Sequence, residues 1–364
     1  MRQYNTIAVQ GYDYFLVPFF TLLGIFVFKG PVYLLLGVLF AVSLIAVWKP
    51  KIVPLAVFFL SPLVAGKGEM VFGILSPAAL LALWFIFLGG IINIQFLIKT
   101  DLRIHKLSIF LFGLMMIAFA SIVFSNNKVG IIEETLRLLS VALMLLLSIF
   151  MSGQQRYRIA AIKTMLLSSI TPLVIGAYQK LSGNLQAGGA RLTQYEIQTG
   201  IVRLYSTFYD AQPFAKYLLV ILVILFALLL QGALSPKTKP IAAIFFVLAL
   251  WELNLTYARG PLIGFAVAVL FILYSSGKLS LSQIALLAGV FGVVLFTTGN
   301  INRFTELFDP GTAVGPNSID LRISLWKSAL GEILHNPILG YGAASFDGAF
   351  GLIAHNDYLG LWYE

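Results

Sequence analysis

Apolar runs dominate this chain, and brief basic or Gly/Pro punctuation cuts them into lengths that suit a bilayer. Runs at 14–28, 32–48, 52–66, 70–90, 107–124, 131–151, 158–178, 212–230, 241–257, 261–275 and 280–297 read as helices, and a further one starts near Tyr358. The expected fold is therefore all-α: a polytopic membrane protein of about eleven complete transmembrane helices plus a partial twelfth. Two segments interrupt the rhythm, at 179–211 and 298–357. The organisation expected from this is a membrane bundle over 1–297 with an outer loop at about 179–211. A large external loop over 298–357 and the start of another membrane helix over 358–364 follow.

Composition agrees with the pattern. The 364 residues are 59% hydrophobic and only 11% charged, with a mean hydropathy of +0.93. The formal charge is +9, but the basic residues stand singly or in twos and threes between apolar runs, unlike the continuous stripe of a nucleic-acid binder. No nucleic-acid partner is expected; membrane lipids are. An inside N-terminus puts Arg2, Lys49, Lys51, Lys99, Arg103, Lys106, Arg156, Arg158, Lys163, Lys237, Lys239 and Lys278 in the cytoplasm. Short outer connections then hold Lys29, Lys67, Lys128 and Arg259. That excess on one side satisfies the positive-inside rule and makes both long segments external. No small-x-small cleavage site follows the first run, so the first helix is expected to stay in the membrane. There is no cysteine, which removes thiolate catalysis and Cys-ligated metal sites.

Charge near a bilayer is costly, so each ionisable residue at a helix end calls for a reason. Arg259, in LNLTYARGPLIGF, stands between two apolar runs. It reads either as an interfacial anchor or as a fixed guanidinium whose planar fork grips phosphate oxygens. Arg203, in VRLYSTFYDAQPFAKYLL, has the same ambiguity, with an Arg203–Asp210 or Asp210–Lys216 ion pair as the bland alternative. Glu252 sits inside an apolar run, two turns before Arg259 on about the same face, where it would orient that arginine. In the external loop an amphipathic helix is expected. It sets Leu321, Ile323, Leu325, Leu330 and Ile333 against Arg322, Lys327 and Glu332, and would lie on the membrane surface. His335 falls where it would cap that helix at its C-terminal end. His355 stands where the loop returns to an apolar run, as either a structural histidine or a proton acceptor for a hydroxyl.

The motifs of nucleotide-driven pumps and hydrolases are absent: no P-loop, Gly-rich dinucleotide turn, His-x-x-x-His pair or Ser nucleophile elbow is found. An enzyme of this build must take an already activated substrate from the membrane, on the outer side and without nucleotide. A polyprenyl diphosphate-linked sugar meets those conditions. The competing class is a transporter or flippase of lipid-linked glycan, which calls for related halves and polar residues near the bilayer midplane. The charge here gathers at one surface instead.

Four segments resemble, in order, those of the O-antigen ligase and polymerase superfamily of bacterial envelope glycosyltransferases. RLYSTFYDAQPFAKYL is similar to its Arg-x-x-Gly-x-Phe-x-x-Pro-Asn-x-x-Ala segment, and TYARGPLIGF to its Ser-Arg-Gly helix start. LRISLWKSALGEILHNPILGYGAASF resembles its Arg-x-x-x-Trp-x-x-Ala…Pro-x-x-Gly-x-Gly loop, and AHNDYLGLWYE its His-Asn-x-x-Leu…Glu segment. The resemblance covers about residues 190–364. It implies an inner-membrane enzyme with a periplasmic active site, using an undecaprenyl diphosphate-linked glycan donor and either lipid A-core or a growing glycan as acceptor. Inversion at the anomeric carbon, with neither metal nor cofactor, is implied as well. On this likeness Arg203, Arg259 and Arg322 hold the diphosphate and His355 is the base. Asn356 orients the imidazole, while Trp326, Pro337, Gly340 and Gly342 shape the loop. Ser206 stands at the family's Gly, Ala211-Gln212 at its Pro-Asn, and Ala258 at the Ser before the key arginine. The family's pattern continues beyond its Glu, so a chain ending at Glu364 is expected to be C-terminally truncated.

Overall fold

The computed structural model describes chiefly residues 32–49, 51–65, 76–98, 128–183, 203–277, 318–337, 340–342, 345–351 and 357–363. A few isolated positions between 23 and 27, 109 and 123, and 289 and 292 are also described. Among these the regular elements are all helical. They are α1 (Val32–Trp48), α2 (Ile52–Val64), α3 (Pro77–Ile98), α4 (Lys128–Ser152), α5 (Gln155–Ser182), α6 (Ala211–Gln231), α7 (Lys239–Leu255), α8 (Arg259–Ser275), α9 (Ser318–Ile333), α10 (Phe346–Phe350) and α11 (Asp357–Tyr363), with a single 3₁₀ turn at Ser121–Val123.

Most apolar runs end where their punctuation says, and two boundaries differ for local reasons. The run at 70–90 becomes a helix that starts at Pro77 and continues to Ile98. Proline at the first helical position loses no intrahelical bond, and Ser76 stands just outside as its neighbour. The run at 158–178 lengthens to Gln155–Ser182, taking in Gln179 from what reads as loop. Most of the expected spans at 14–28, 107–124 and 280–297, and all of residues 184–202 and 298–317, lie outside the described residues. Among the described residues two helices, Gln155–Ser182 and Ala211–Gln231, are long and apolar enough to cross a membrane. Leu34–Ala46, Ile52–Val64, Pro77–Gly90 and Arg259–Ser275 are shorter apolar stretches.

The chain forms two compact units: Met1–Phe40, Leu55–Ala78 and Gln155–Asp309 in one, and Ala41–Pro54, Ala79–Gln154 and Pro310–Glu364 in the other. In the first, α6 packs against both α7 and α8. Phe214, Leu218 and Leu222 of α6 are fully buried against Ala249 and Leu253 of α7 and Leu262 and Phe265 of α8. Rings run across the three helices, Phe226 to Phe246 at 6.3 Å and Phe246 to Phe265 at 6.0 Å between centroids. Between helices in lipid such contacts act through packing and dispersion more than through expulsion of water, so close fit decides the association. In the second unit the Trp84 indole N–H donates to Ser43 Oγ at 2.9 Å, and Lys51 Nζ donates to Gln154 Oε1 at 3.2 Å.

Candidate functional site

The first unit carries two of the arginines. The α6 helix begins with Asp210 as its cap, in an extended conformation with a carboxylate oxygen accepting from the Gln212 N–H at 3.2 Å. Asp210 thus satisfies an orphan helix donor, a local backbone task that neither expected ion pair assigned to it. Ala211 is then the first helical residue, the place where a proline is also tolerated. Ahead of the cap, residues 203–210 form an irregular segment held on several sides. The Leu204 N–H donates to Leu255 O at 3.0 Å, and Arg203 Nε donates to Thr256 O at 2.9 Å. Thr207 Oγ1 donates to Pro62 O at 2.7 Å, while Phe208 packs its ring 5.5 Å from both Phe214 and Tyr217.

Arg259 opens α8 after a very short turn. Thr256 closes α7 with its N–H donating to Glu252 O and Leu253 O, and its hydroxyl donates to Leu253 O at 2.6 Å. Tyr257 takes a positive φ of 53°, which reverses the chain, and Ala258 is extended. Arg259 therefore sits at the N-terminal end of α8. A cation there has the same sign as the helix dipole, an arrangement that favours an anion more than either charge source alone. The position before it, Ala258, has the φ of −93° and ψ of 101° of a helix cap but supplies no side-chain oxygen. Ala258→Ser is expected to stabilise the protein by about 1 kcal/mol. A thermal midpoint in detergent that does not rise would show that the buried site rejects the hydroxyl.

The turn also separates Glu252 from Arg259. Because α7 ends at Leu255, the two do not share one helical face as a continuous helix would have given. Glu252 is fully buried, and its carboxylate lies over Gly176 of α5, close enough that a Cβ there would meet Oε2 at 2.5 Å. Glycine at 176 gives the carboxylate its room.

One position drawn on by the segment was missed in the sequence. Gln179 is fully buried; its Oε1 accepts from the Ser206 N–H at 2.9 Å and its Nε2 donates to Ser206 O at 3.2 Å. Ser206 has a φ of 52°, and its hydroxyl donates to Pro172 O. The available signal was spacing: Gln179 lies seven residues after Pro172 and four after Ile175, on the side of a helix that is also buried at 168–173 and 176. The departures from the family's pattern now have a common character. Ser206 stands at a left-handed backbone position, Ala211 at a first helical residue and Ala258 at a cap, where Gly, Pro and Ser respectively serve the backbone.

The second unit carries Arg322 and Trp326, both half-buried on α9. The buried stripe of that helix is Leu325, Ala329 and Ile333, packed with Phe346 and Tyr363. Ile323 and Leu330, expected on the apolar face, are 41% and 40% exposed. Spacing of 3.6 puts Arg322 in line with Leu325, Ala329 and Ile333 and takes Ile323 around the helix. His335 caps the C-terminal end as expected, with its Nδ1 bonded to Gly331 O at 2.9 Å. A carbonyl only accepts, so Nδ1 carries the proton. The following Pro337-x-x-Gly340-x-Gly342 loop needs both glycines, whose φ values are 60° and 95°.

This loop grips α11. The Tyr341 N–H donates to Tyr363 O at 2.8 Å, the Trp362 indole donates to Pro337 O at 3.0 Å, and the rings of Tyr341 and Tyr363 stack at 4.8 Å. Phe346 and Phe350 meet Tyr363 edge-on at 5.1 and 5.3 Å. The Tyr341 hydroxyl donates toward Glu332; desolvation first, then that bond and the carboxylate's charge, hold its phenol above the ordinary range. Tyr363→Ala is expected to cost about 3 kcal/mol by emptying the cluster, read as faster hydrogen exchange over 357–363. Unchanged exchange would show that the grip on α11 comes from Trp362. His355 and Asn356 lie outside the described residues, immediately before α11.

Residues 244–364 match the family model described as O-antigen ligase. The matched stretch takes in Glu252, Arg259, Arg322, Trp326, His355 and Asn356, and Arg203 precedes it. No curated protein matches, and no solved structure does.

Proposed function

We propose, from the premise that residues 244–364 place this chain in the O-antigen ligase superfamily, that it is a membrane glycosyltransferase acting on a lipid-linked glycan. It moves an undecaprenyl diphosphate-linked glycan to an acceptor hydroxyl on the periplasmic side of the bacterial inner membrane. The acceptor is lipid A-core, as for a ligase, or a growing polysaccharide, as for a polymerase. The observation that carries the reading is the lacing of two arginine segments. Leu204 and Arg203 bond to the carbonyls of Leu255 and Thr256, in the turn that leads directly to Arg259. Two guanidinium-bearing backbones fixed side by side suit a diphosphate, whose oxygens each accept several donors.

In the mechanism, Arg203 and Arg259 neutralise the diphosphate as the bond from the anomeric carbon to its oxygen breaks, a role the family resemblance implies for Arg322 as well. His355 takes the proton of the acceptor hydroxyl as that oxygen forms the new glycosidic bond. Attack opposite the leaving group inverts the anomeric carbon. Asn356 fixes the imidazole, and Trp326 shapes the external loop.

The test offers the purified protein an undecaprenyl diphosphate-linked glycan with lipid A-core or with a second lipid-linked glycan. Product on lipid A-core identifies a ligase, and lengthened glycan on the carrier a polymerase. Movement of intact donor across vesicles without release of undecaprenyl diphosphate would replace the enzyme by a transporter.

A further inference from the structure

Ser206 is the point at which the Arg203 segment is conformationally most demanding. Its left-handed φ of 52° is costly for any residue with a side chain and persists only where surroundings impose it. The residue is fully buried, so its peptide groups also need partners. Gln179 supplies both, accepting from the N–H at 2.9 Å and donating to the carbonyl at 3.2 Å. A carboxamide bonded at both ends to one residue copies a backbone pairing and fixes the peptide planes on either side. Three residues upstream, Arg203 Nε holds Thr256 O, and no helix intervenes to absorb a shift.

We propose that Gln179 is a positioning residue for the donor: by locking Ser206 in its left-handed turn it sets how Arg203 leaves the segment, and so the affinity for a lipid-borne diphosphate. This rests on the functional reading above. The lock acts through the donor's diphosphate, as it binds and as it departs, and leaves the acceptor site alone. It also compensates for a side chain at a position that glycine would occupy freely.

The experiment compares the unsubstituted protein, Gln179→Ala, Gln179→Glu and Gln179→Ala/Ser206→Gly in lipid nanodiscs, measuring initial rates against donor and acceptor concentration. Gln179→Ala is expected to raise the donor KM about tenfold, the effect of losing buried hydrogen bonds, and to lower kcat as Arg203 meets the departing diphosphate less well, with the acceptor KM within about twofold. Gln179→Glu keeps an acceptor for the Ser206 N–H and is expected to fall between. The double variant relieves the side-chain strain at 206 but restores neither bond, and its donor KM is expected to lie between those of Gln179→Ala and the unsubstituted protein. A purely structural role predicts fewer active molecules at an unchanged donor KM, and that result overturns the inference. Should Gln179→Ala not accumulate, the donor KM of Gln179→Glu decides, and a value equal to that of the unsubstituted protein overturns it equally. Absence of transfer by the unsubstituted protein refutes the functional reading and this inference with it. Transfer with an unmoved donor KM in Gln179→Ala refutes the positioning role alone.

Discussion

Arg259→Ala is expected to lower glycan transfer by at least about a hundredfold, the usual effect of removing a donor aimed at developing charge. On the proposed mechanism this guanidinium meets the departing diphosphate, and the helix end it stands on adds field of the same sign. Arg259→Lys should recover little of the rate. An ammonium keeps the charge but lacks the planar pair of donors that matches two phosphate oxygens. The measurement is release of undecaprenyl diphosphate at equal amounts of membrane-inserted protein. A rate near that of the unsubstituted protein would return Arg259 to the role of an interfacial anchor.

His355→Ala is expected to lower turnover by about 10²–10⁴-fold while leaving donor binding intact, as removal of a general base does. That split distinguishes it from Arg259→Ala, which weakens the hold on the diphosphate itself. The position suits the role. His355 lies between the loop that ends with α10 and the short α11, whose Trp362 and Tyr363 are both bonded to residues 337–341. The chain leaving the histidine is therefore tethered a few residues on. Transfer at the normal rate in the alanine variant would falsify the assignment of the base.

How much of this could be read from the sequence depended on the distance over which the deciding forces act. The apolar runs at 32–48, 52–66, 131–151, 212–230, 241–257 and 261–275 became helices with ends moved by a few residues, because burial patterns and Pro, Gly or Lys punctuation are local. His335 as a helix cap was local too. The faces of α9 were harder. Alternate apolar residues from Leu321 to Leu325 suggested a stripe that the helical period redistributes, leaving Ala329 in the core and Ile323 outside. What could not be read was tertiary. The clamp between Gln179 and Ser206 joins residues far apart in the chain, and neither its geometry nor the turn at Tyr257 leaves a compositional trace. Asp210 looked like half of an ion pair because charge is visible in a sequence, whereas an orphan N–H at a helix start is not. Arginine and histidine drew attention as chemistry, while the glutamine and threonines that hold the arginine segments passed as loop or helix-end filler.

The connection from α7 to α8 consists of Thr256, Tyr257 and Ala258, and it has no slack. An α-helix turns by about 100° per residue, so one residue added ahead of α8 would swing Arg259 through more than a quarter of a circle or force the whole helix to rotate against α6. Deletion would do the same in the opposite sense. The azimuth of the guanidinium thus depends on the length of a three-residue link as well as on the presence of the arginine.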